Sequence, residues 1–208
     1  MTRTHVYIDG FNLYYGCLKA TPFRWLDVAA LSRRMLPGHQ VRRIKYFTAH
    51  VSPRASDPQQ PLRQLAYLRA LRTLPTVEIH LGHYLSHRAS MLLAVPPVNG
   101  PRFATVIKTE EKGSDVNLAS HLICDAYEDE FDVGVLVTND SDLLTPVQIV
   151  TKRLGKKVGI LNPRKHPARV LRDSATFVKR IRPGPLRDSQ LPAELRDAQG
   201  VIRKPAGW

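Results

Sequence analysis

Short apolar stretches alternate with helical patterns along most of this chain. Strands are predicted where large apolar residues run together with little polar alternation, at 4–9, 42–51, 77–81, 133–138, 157–161 and 177–181. Helices are predicted where apolar residues recur every three or four positions, at 12–19, 27–36, 62–74, 114–127, 146–154 and 168–174. Alternating strands and helices of this kind are typical of a parallel sheet that helices cover on both faces. The pattern therefore predicts an α/β fold.

Two segments depart from this alternation. Residues 83–108 hold two apolar runs around a Pro-Pro pair and an Asn-Gly-Pro sequence, and we interpret them as a hairpin or a long loop. Residues 183–208 contain four prolines and few large apolar residues, which indicates an extended tail that wraps the domain. We therefore predict one domain over 1–182 and a C-terminal tail over 183–208.

The composition is that of a globular protein, with 208 residues of which 43% are hydrophobic and 24% charged. The longest apolar run, 91–98, contains two prolines and is too short to span a bilayer. Asp9 interrupts the apolar stretch that a signal peptide would need, and the two cysteines cannot build a disulfide framework. These observations predict a cytoplasmic, reduced protein without a membrane span.

The charge balance points to a polyanionic partner. Thirty-one Lys and Arg stand against eighteen Asp and Glu, which gives a formal net charge of +13. Nucleic acid is the first candidate partner and membrane headgroups the second, although charge that only keeps the protein in solution is the plain alternative. The candidate nucleic-acid contacts are Arg42, Arg43, Arg164, Lys165 and Arg169.

Asp9 ends the first predicted strand, in the stretch VYIDGFN. Ligands of open α/β sheets bind beyond the carboxyl ends of the strands, so a side chain at this position can project into a crevice. Gly10 permits a sharp turn there, and Asn12 can hold the carboxylate or cap the next helix. An ordinary Asx turn explains the same residues equally well.

Asp140 and Asp142 occupy a similar position after the predicted strand 133–138. Two carboxylates two residues apart can converge on one cation, and Thr138 or Ser141 can add a hydroxyl oxygen. Capping of the next helix is the alternative role for these acids.

Asp115 heads the apolar stripe of the predicted helix 114–127, so we expect its side chain to point toward the sheet. If the strands 4–9 and 133–138 are neighbours, all four acids meet at one rim. Four like charges in one crevice repel one another unless a divalent cation neutralises them. Ligands that are all oxygen suit Mg²⁺ or Mn²⁺, and such a metal can activate water for attack on a phosphate.

Four stretches resemble the NYN family of PIN-like nucleases, the group that includes the LabA-type proteins. They occur in the family's order: VYIDGFNLYYG at 6–16, KTEEKGSDVNLASHL at 108–122, VGVLVTNDSDLLTPV at 133–147 and KKVGIL at 156–161. The resemblance covers most of residues 4–181. It implies a PIN-like three-layer α/β/α sandwich with a mostly parallel central sheet and an acidic, Mg²⁺- or Mn²⁺-dependent site.

The resemblance also implies roles for single residues. The catalytic acids and their assisting neighbours would be Asp9, Asp115, Asp140, Asp142, Asn12, Thr138 and Ser141. Of these, Asp9, Asp140 and Asp142 would bind the metal, and Asp115 would complete the site or help to deprotonate water. Two residues depart from the family pattern, since Asn139 replaces a common Gly and Leu143 a common Phe. Asn139 could alter the loop that aims Asp140.

We therefore predict a metal-dependent endoribonuclease that hydrolyses RNA phosphodiester bonds. The alternative is a catalytically silent nucleic-acid-binding or regulatory module of the same fold. The sequence leaves open RNA against DNA, one metal against two, and the oligomeric state, a homodimer included.

Two further features have plainer explanations. Tyr14, Tyr15, Tyr46 and Phe47 can stack on bases, but packing in the core explains at least half of them. The acidic run DAYEDEFD at 125–132 is interpreted as a solvated turn at the end of a helix.

Overall fold

The computed structural model describes residues 1–208, and its strands agree closely with the apolar pattern. In chain order the strands are β1 (Thr2–Asp9), β2 (His39–Thr48), β3 (Val77–Leu81), β4 (His83–Leu92), β5 (Phe103–Lys112), β6 (Val133–Val137), β7 (Lys157–Asn162), β8 (Phe177–Arg180), β9 (Glu194–Asp197) and β10 (Gly200–Arg203). All six strands that the pattern predicted are present within a few residues of their predicted bounds.

The helices follow the predicted order as well. They are α1 (Gly10–Leu13), α2 (Val28–Met35), α3 (Gln60–Arg72), α4 (Ser114–Tyr127), α5 (Leu144–Gln148), α6 (Arg169–Ser174) and α7 (Pro183–Arg187). Two of the predicted helices are only partly α-helical, because α1 and α5 continue as π-helical turns over Tyr14–Leu18 and Ile149–Arg153. A short 3₁₀ turn, Ser141–Leu143, precedes α5.

The central sheet has the strand order β3-β2-β1-β6-β7-β8, and every neighbouring pair is parallel. From β1 the chain proceeds outward to β2 and β3, then returns through α4 to β6 on the other side of β1. The strand order therefore reverses between β1 and β6. Ligand sites of open α/β sheets lie at the carboxyl end of such a switch point.

Helices cover both faces of this sheet. On one face, α1, α2 and α3 pack on apolar side chains such as Val6, Ile8 and Ile44. On the other face, α4, α5 and α6 pack on a second apolar core that includes Leu136 and Ile160. The two layers of helices around a parallel sheet confirm the predicted three-layer α/β/α architecture of PIN-like type.

The strands β4 and β5 form the hairpin that was one of two interpretations of residues 83–108. They pair antiparallel along their whole length, from His83 opposite Lys112 to Leu92 opposite Phe103. None of their residues belongs to either apolar core. The hairpin is therefore a separate two-stranded arm between β3 and α4.

Residues 183–208 differ from the extended tail that we expected. They form α7 and the antiparallel hairpin β9–β10, and Arg69 of α3 pairs with Asp197 of β9 at 2.6 Å. The physical reason is that single large apolar residues between the prolines are buried in the α1–α3 layer: Leu186, Leu191 and Ile202. Such isolated residues give no periodic signal.

The helices of this fold include none with the length and apolar character that crossing a bilayer requires.

Candidate metal centre

The Asp9 carboxylate lies at the carboxyl end of β1 and is only 5% exposed. It accepts hydrogen bonds from the backbone N and the Nδ2 of Asn12, both at 2.8 Å, and from Thr138 Oγ1 at 3.1 Å. Burial raises the pKa of Asp9, and these hydrogen bonds oppose that shift. Asp9 is therefore the N-cap of α1, in place of the alternative Asx turn, and these hydrogen bonds fix the orientation of its carboxylate.

Three further hydrogen bonds hold the loop after β6, and one of them joins it to Asn12. The backbone N of Asp140 donates to Thr138 Oγ1 at 3.1 Å, and the backbone N of Asn139 donates to Asn12 Oδ1 at 3.3 Å. The Asn139 side chain accepts from the backbone N of Ala168 at 2.7 Å. Asn139 therefore anchors the loop to the start of α6, and its backbone has no positive φ that would call for glycine.

The start of α4 sets the position of Asp115. Gly113 precedes the helix with φ of 98°, a left-handed conformation that favours glycine. Glu111 of β5 accepts hydrogen bonds from the backbone N and the hydroxyl of Ser114, at 3.1 and 2.7 Å. The arm thus caps α4 in place of an ordinary N-cap side chain, and Asp115 follows in the first turn.

Three carboxylates meet at this rim. One oxygen each of Asp9, Asp115 and Asp140 lies within 4.8 Å of the other two. Burial, followed by the charges of Asp9 and Asp140, raises the pKa of Asp115 to about 6. The group is therefore an acidic cluster whose members repel one another.

The structure does not bring Asp142 into this cluster, although it was expected to bind metal. The 3₁₀ turn buries Leu143 and leaves Asp142 and Ser141 exposed. The backbone N of Asp142 donates to Asp140 Oδ1 at 3.0 Å, and its negative charge contributes to the raised pKa of Asp115. Asp142 therefore affects the cluster through the negative charge of its side chain and the hydrogen bond of its backbone N–H. Asp115 is the third carboxylate of the cluster, where Asp142 was expected.

The expected basic contacts divide between two edges of the sheet. Arg164 and Lys165, on the segment between β7 and α6, and Arg169, the first residue of α6, are exposed at the same edge as the acids. Arg42 and Arg43 are exposed in the first half of β2, and Arg43 pairs across the strands with His5, four residues before Asp9. That spacing places them roughly 13 Å down the sheet from the acids.

A buried ionic network under α4 was missed by the sequence interpretation. Lys45 Nζ lies 2.7 Å from Asp125 Oδ2, and Asp125 also accepts from Tyr7 at 2.6 Å and contacts His5 at 3.4 Å. The prediction of a solvated turn is thus wrong for Asp125. Two signals pointed to it: Lys45 interrupts an apolar strand, and Asp125 continues the buried helical spacing of Leu118 and Leu122.

The cluster of Asp9, Asp115 and Asp140 fits a divalent cation. Its donors are all carboxylate oxygens, which suit Mg²⁺ or Mn²⁺. The charges that act on Asp115 most strongly are those of other acids, and no basic side chain forms an ion pair with any of the three. A cation at this place would relieve the repulsion that the fold imposes.

The fold and this acidic rim define a nuclease-like α/β/α protein with a candidate metal site. The model of the NYN domain matches residues 3–181, nearly the whole chain. The chain therefore belongs to the NYN domain family, within the PIN-like superfamily.

Two individual proteins are similar to this chain. One is a protein from Pseudomonas putida named 6-hydroxy-3-succinoylpyridine 3-monooxygenase HspA. It is 34% identical to this chain over an alignment of 237 residues, gaps included, and the alignment covers 99% of this chain and 75% of that protein. A crystal structure of a protein of unknown function from Vibrio parahaemolyticus covers 91% of this chain and 96% of its own, with a TM-score of 0.57 and 22% identity. The second likeness supports the fold alone.

Proposed function

We propose that this protein is a metal-dependent endoribonuclease that hydrolyses phosphodiester bonds. The proposal rests chiefly on the convergence of Asp9, Asp115 and Asp140 at the carboxyl edge of the sheet, where no basic group neutralises them. The net charge of +13 supports it, because a strongly basic protein attracts the phosphate backbone to an acidic site that would otherwise repel it.

Each residue has a separate part in this proposal. Asp9, Asp115 and Asp140 hold the cation, which when bound activates water and stabilises charge on the phosphate. Asn12 and Thr138 hold the Asp9 carboxylate in one orientation through hydrogen bonds of 2.8 and 3.1 Å. Ser141 and Asp142 remain candidates for contact with the substrate or a second cation, because both are exposed beside the cluster.

The basic residues on the rim supply the substrate contacts. Arg164, Lys165 and Arg169 lie beside the loop that carries Asp140, since Ala168 bonds to Asn139 at 2.7 Å. They can therefore bind phosphates on either side of the cleaved bond.

The first test compares cleavage of labelled single-stranded RNA in Mn²⁺, in Mg²⁺ and in EDTA. We expect cleavage with either metal and none with EDTA. The Asp9→Asn variant should lose activity by orders of magnitude, while its affinity for RNA in EDTA stays the same or improves because one repelling charge is gone. A folded Asp9→Asn variant that cleaves at the parental rate would remove Asp9 from the site.

A second measurement separates metal binding from turnover. Mn²⁺ should raise the melting temperature of the parent protein, because it binds only the folded state, and should raise that of Asp140→Asn less. Metal stabilisation and RNA binding without cleavage would favour the alternative, a nucleic-acid-binding or regulatory module. The same assay on single-stranded DNA tests the preference for RNA.

A monooxygenase activity is the second candidate, because the Pseudomonas putida relative bears that name and matches 99% of this chain. Its test is direct: the purified protein is incubated with 6-hydroxy-3-succinoylpyridine, oxygen and a reduced nicotinamide cofactor, and the product is followed by mass spectrometry. Conversion of this pyridine to a product that carries an oxygen atom from O₂, which Asp140→Asn does not abolish, would favour this function over hydrolysis. A cytoplasmic location, a homodimeric state and a domain boundary at residue 182 stay predictions from the sequence.

A further inference from the structure

A cavity with a volume of about 100 Å³ opens beside α1, on the α1–α3 side of the sheet. Aromatic side chains form much of its wall: Tyr14, Tyr15, Tyr46 and Trp208. The charged side chains of the wall are Arg24, Arg63 and Asp57, and Asp57 pairs with Arg63, so that Arg24 is the cation without a carboxylate partner. Aromatic rings together with guanidinium groups suit a ligand that is both planar and anionic.

Arg24 has an unmet hydrogen bond in this wall. Its Nε is buried and has no acceptor, while its Nη2 donates to the carbonyl oxygen of Gly207. The guanidinium group lies 5.8 Å from the ring centre of Trp208. A buried donor without an acceptor is unfavourable, so an anionic acceptor at this place would be stabilised.

The cavity and the metal centre are connected through neighbouring residues of the chain. Gly10 follows Asp9 directly and lines the cavity together with Tyr46 and Thr48. A side chain at position 10 would bring its Cβ within 2.8 Å of the Tyr46 ring and of the carbonyl oxygen of Phe47. Burial, with the charge of Asp9, raises the pKa of the Tyr46 hydroxyl. A molecule in the cavity therefore contacts Gly10, the residue next to Asp9 of the acidic cluster.

The volume of the cavity favours a ligand with a single ring. A cavity of roughly 150 Å³ with apolar walls binds benzene. This cavity, at about 100 Å³, is somewhat smaller and is open at its mouth, so it suits a single six-membered ring with its substituents directed outward. A two-ring purine is a poorer fit than a pyrimidine.

We propose that this cavity binds a planar heteroaromatic ring with an anionic group, and that its ligand is a pyrimidine nucleotide of the strand held at the metal centre. This assignment builds on the proposed nuclease function. The base stacks on the half-exposed ring of Tyr15, and its phosphate lies toward Arg24. Of the four aromatic residues considered as stacking platforms from the sequence, Phe47 is excluded, because it is buried against His80 in the other layer.

The test measures binding of uridine 5′-monophosphate to the full chain in EDTA by titration calorimetry. We expect saturable binding that is tighter than that of adenosine 5′-monophosphate, and much tighter than that of ribose 5-phosphate, which lacks the ring. Nicotinate, a free heteroaromatic acid, is the competing source of the same chemistry. Binding of nicotinate without binding of uridine 5′-monophosphate would overturn the assignment to a nucleotide.

Two variants, each with a matched control, locate the binding. Tyr15→Ala removes a ring that is 45% exposed, and we expect affinity for uridine 5′-monophosphate to fall roughly 5- to 150-fold, the range for loss of one stacking aromatic residue. Tyr127→Ala, at a residue that is 80% exposed at the end of α4, should leave affinity unchanged. Arg24→Gln should weaken binding, and Arg172→Gln on α6 should not. If Arg24→Gln does not fold, Tyr15→Ala decides alone.

The outcome for the cavity is separable from the outcome for the nuclease. Loss of nucleotide binding in Tyr15→Ala, in a protein that cleaves no RNA, would support the cavity and reject the nuclease function. Cleavage with an unchanged affinity for uridine 5′-monophosphate in both variants would overturn the cavity and leave the nuclease function standing. If both are correct, Tyr15→Ala should also raise KM for pyrimidine-rich RNA, with the metal-induced rise in melting temperature unaltered.

Discussion

At the scale of single residues, Asp115 carries the pH dependence of the acidic cluster. Its pKa is raised from 3.8 to about 6, first by burial and then by the charges of Asp9 and Asp140. Between these two pH values the folded protein holds a proton that the unfolded chain has released. The free energy of unfolding of the metal-free protein therefore falls as the pH rises through this range.

The substitution Asp115→Asn should remove this loss of stability at higher pH, because an amide carries no charge. In EDTA we expect the variant to melt at a higher temperature than the parent at pH 7.5 and at nearly the same temperature at pH 4, where the parent carboxyl is largely protonated. Thermal melts at the two pH values check the prediction. With saturating Mn²⁺ at pH 7.5 the order should reverse, because the parent alone keeps three ligands. An equal gain at both pH values would show that repulsion at Asp115 is not its cause.

The pair of Lys45 and Asp125 gives a second prediction at this scale. Burial tends to raise the pKa of Asp125, but hydrogen bonds from His5, Lys45 and Tyr7 outweigh it and hold the pKa below its usual range. Lys45→Met leaves a buried carboxylate without its cation, which costs about 3–5 kcal/mol in comparable pairs. Urea unfolding should show this loss, and the double variant Lys45→Met/Asp125→Leu should recover most of it. A single variant as stable as the parent would contradict this account of the pair.

At the scale of secondary-structure elements, the helix–strand order could be read from the sequence because it depends on local spacing. The bounds of α4 agree with the prediction, and α2 follows Asp27, whose side chain accepts from the backbone N of Ala29 and Ala30 at 2.8 Å. The partners of Lys45 and the burial of residues 183–208 depend on contacts between distant segments. No local pattern encodes such contacts.

In the candidate site, too, local sequence patterns could be interpreted, whereas contacts between distant segments could not. The sequence pointed to the four acids, because each lies at a strand end or a helix start. It assigned Asp142 and not Asp115 to the metal, whereas the structure groups Asp115 with Asp9 and Asp140. That difference depends on the 3₁₀ turn at Ser141–Leu143 and on the cap that Glu111 provides for α4. Both features are set by tertiary structure.

The outer half of the arm formed by β4 and β5 should be separable from the stability of the domain. This half is exposed, with Leu92 and Phe103 each more than half accessible, and it adds nothing to either core. Replacing residues 93–102 with Asn-Gly closes the hairpin by a tight turn that suits the register of Leu92 opposite Phe103. We expect the melting temperature to change by no more than about 2 °C. A loss of many degrees would reveal a structural role for the tip.

At the scale of the whole molecule, the distribution of charge should govern RNA affinity. With a net charge of +13, binding should weaken steeply with salt, by about 0.7 in the double-logarithmic slope for each phosphate contact to a single strand. The double variant Arg164→Glu/Lys165→Glu at the acidic rim should lower the slope and the affinity together. Arg42→Glu/Arg43→Glu, the matched change at the other end of the sheet, should alter the slope much less. Equal effects of the two pairs would mean that the rim has no special part in binding.

The acids lie on either side of the switch point, and this placement determines when the site can form during folding. Asp9 and Thr138, which share a hydrogen bond, are 129 residues apart in the chain. A chain emerging from the ribosome exposes Asp9 early, but it cannot complete the cluster until β6 has been made and has inserted beside β1. Closing so long a loop is among the slower steps of folding. The proposed cation site is therefore complete only when the two halves of the sheet have joined, and the onset of Mn²⁺ binding during refolding would report the last stage of assembly.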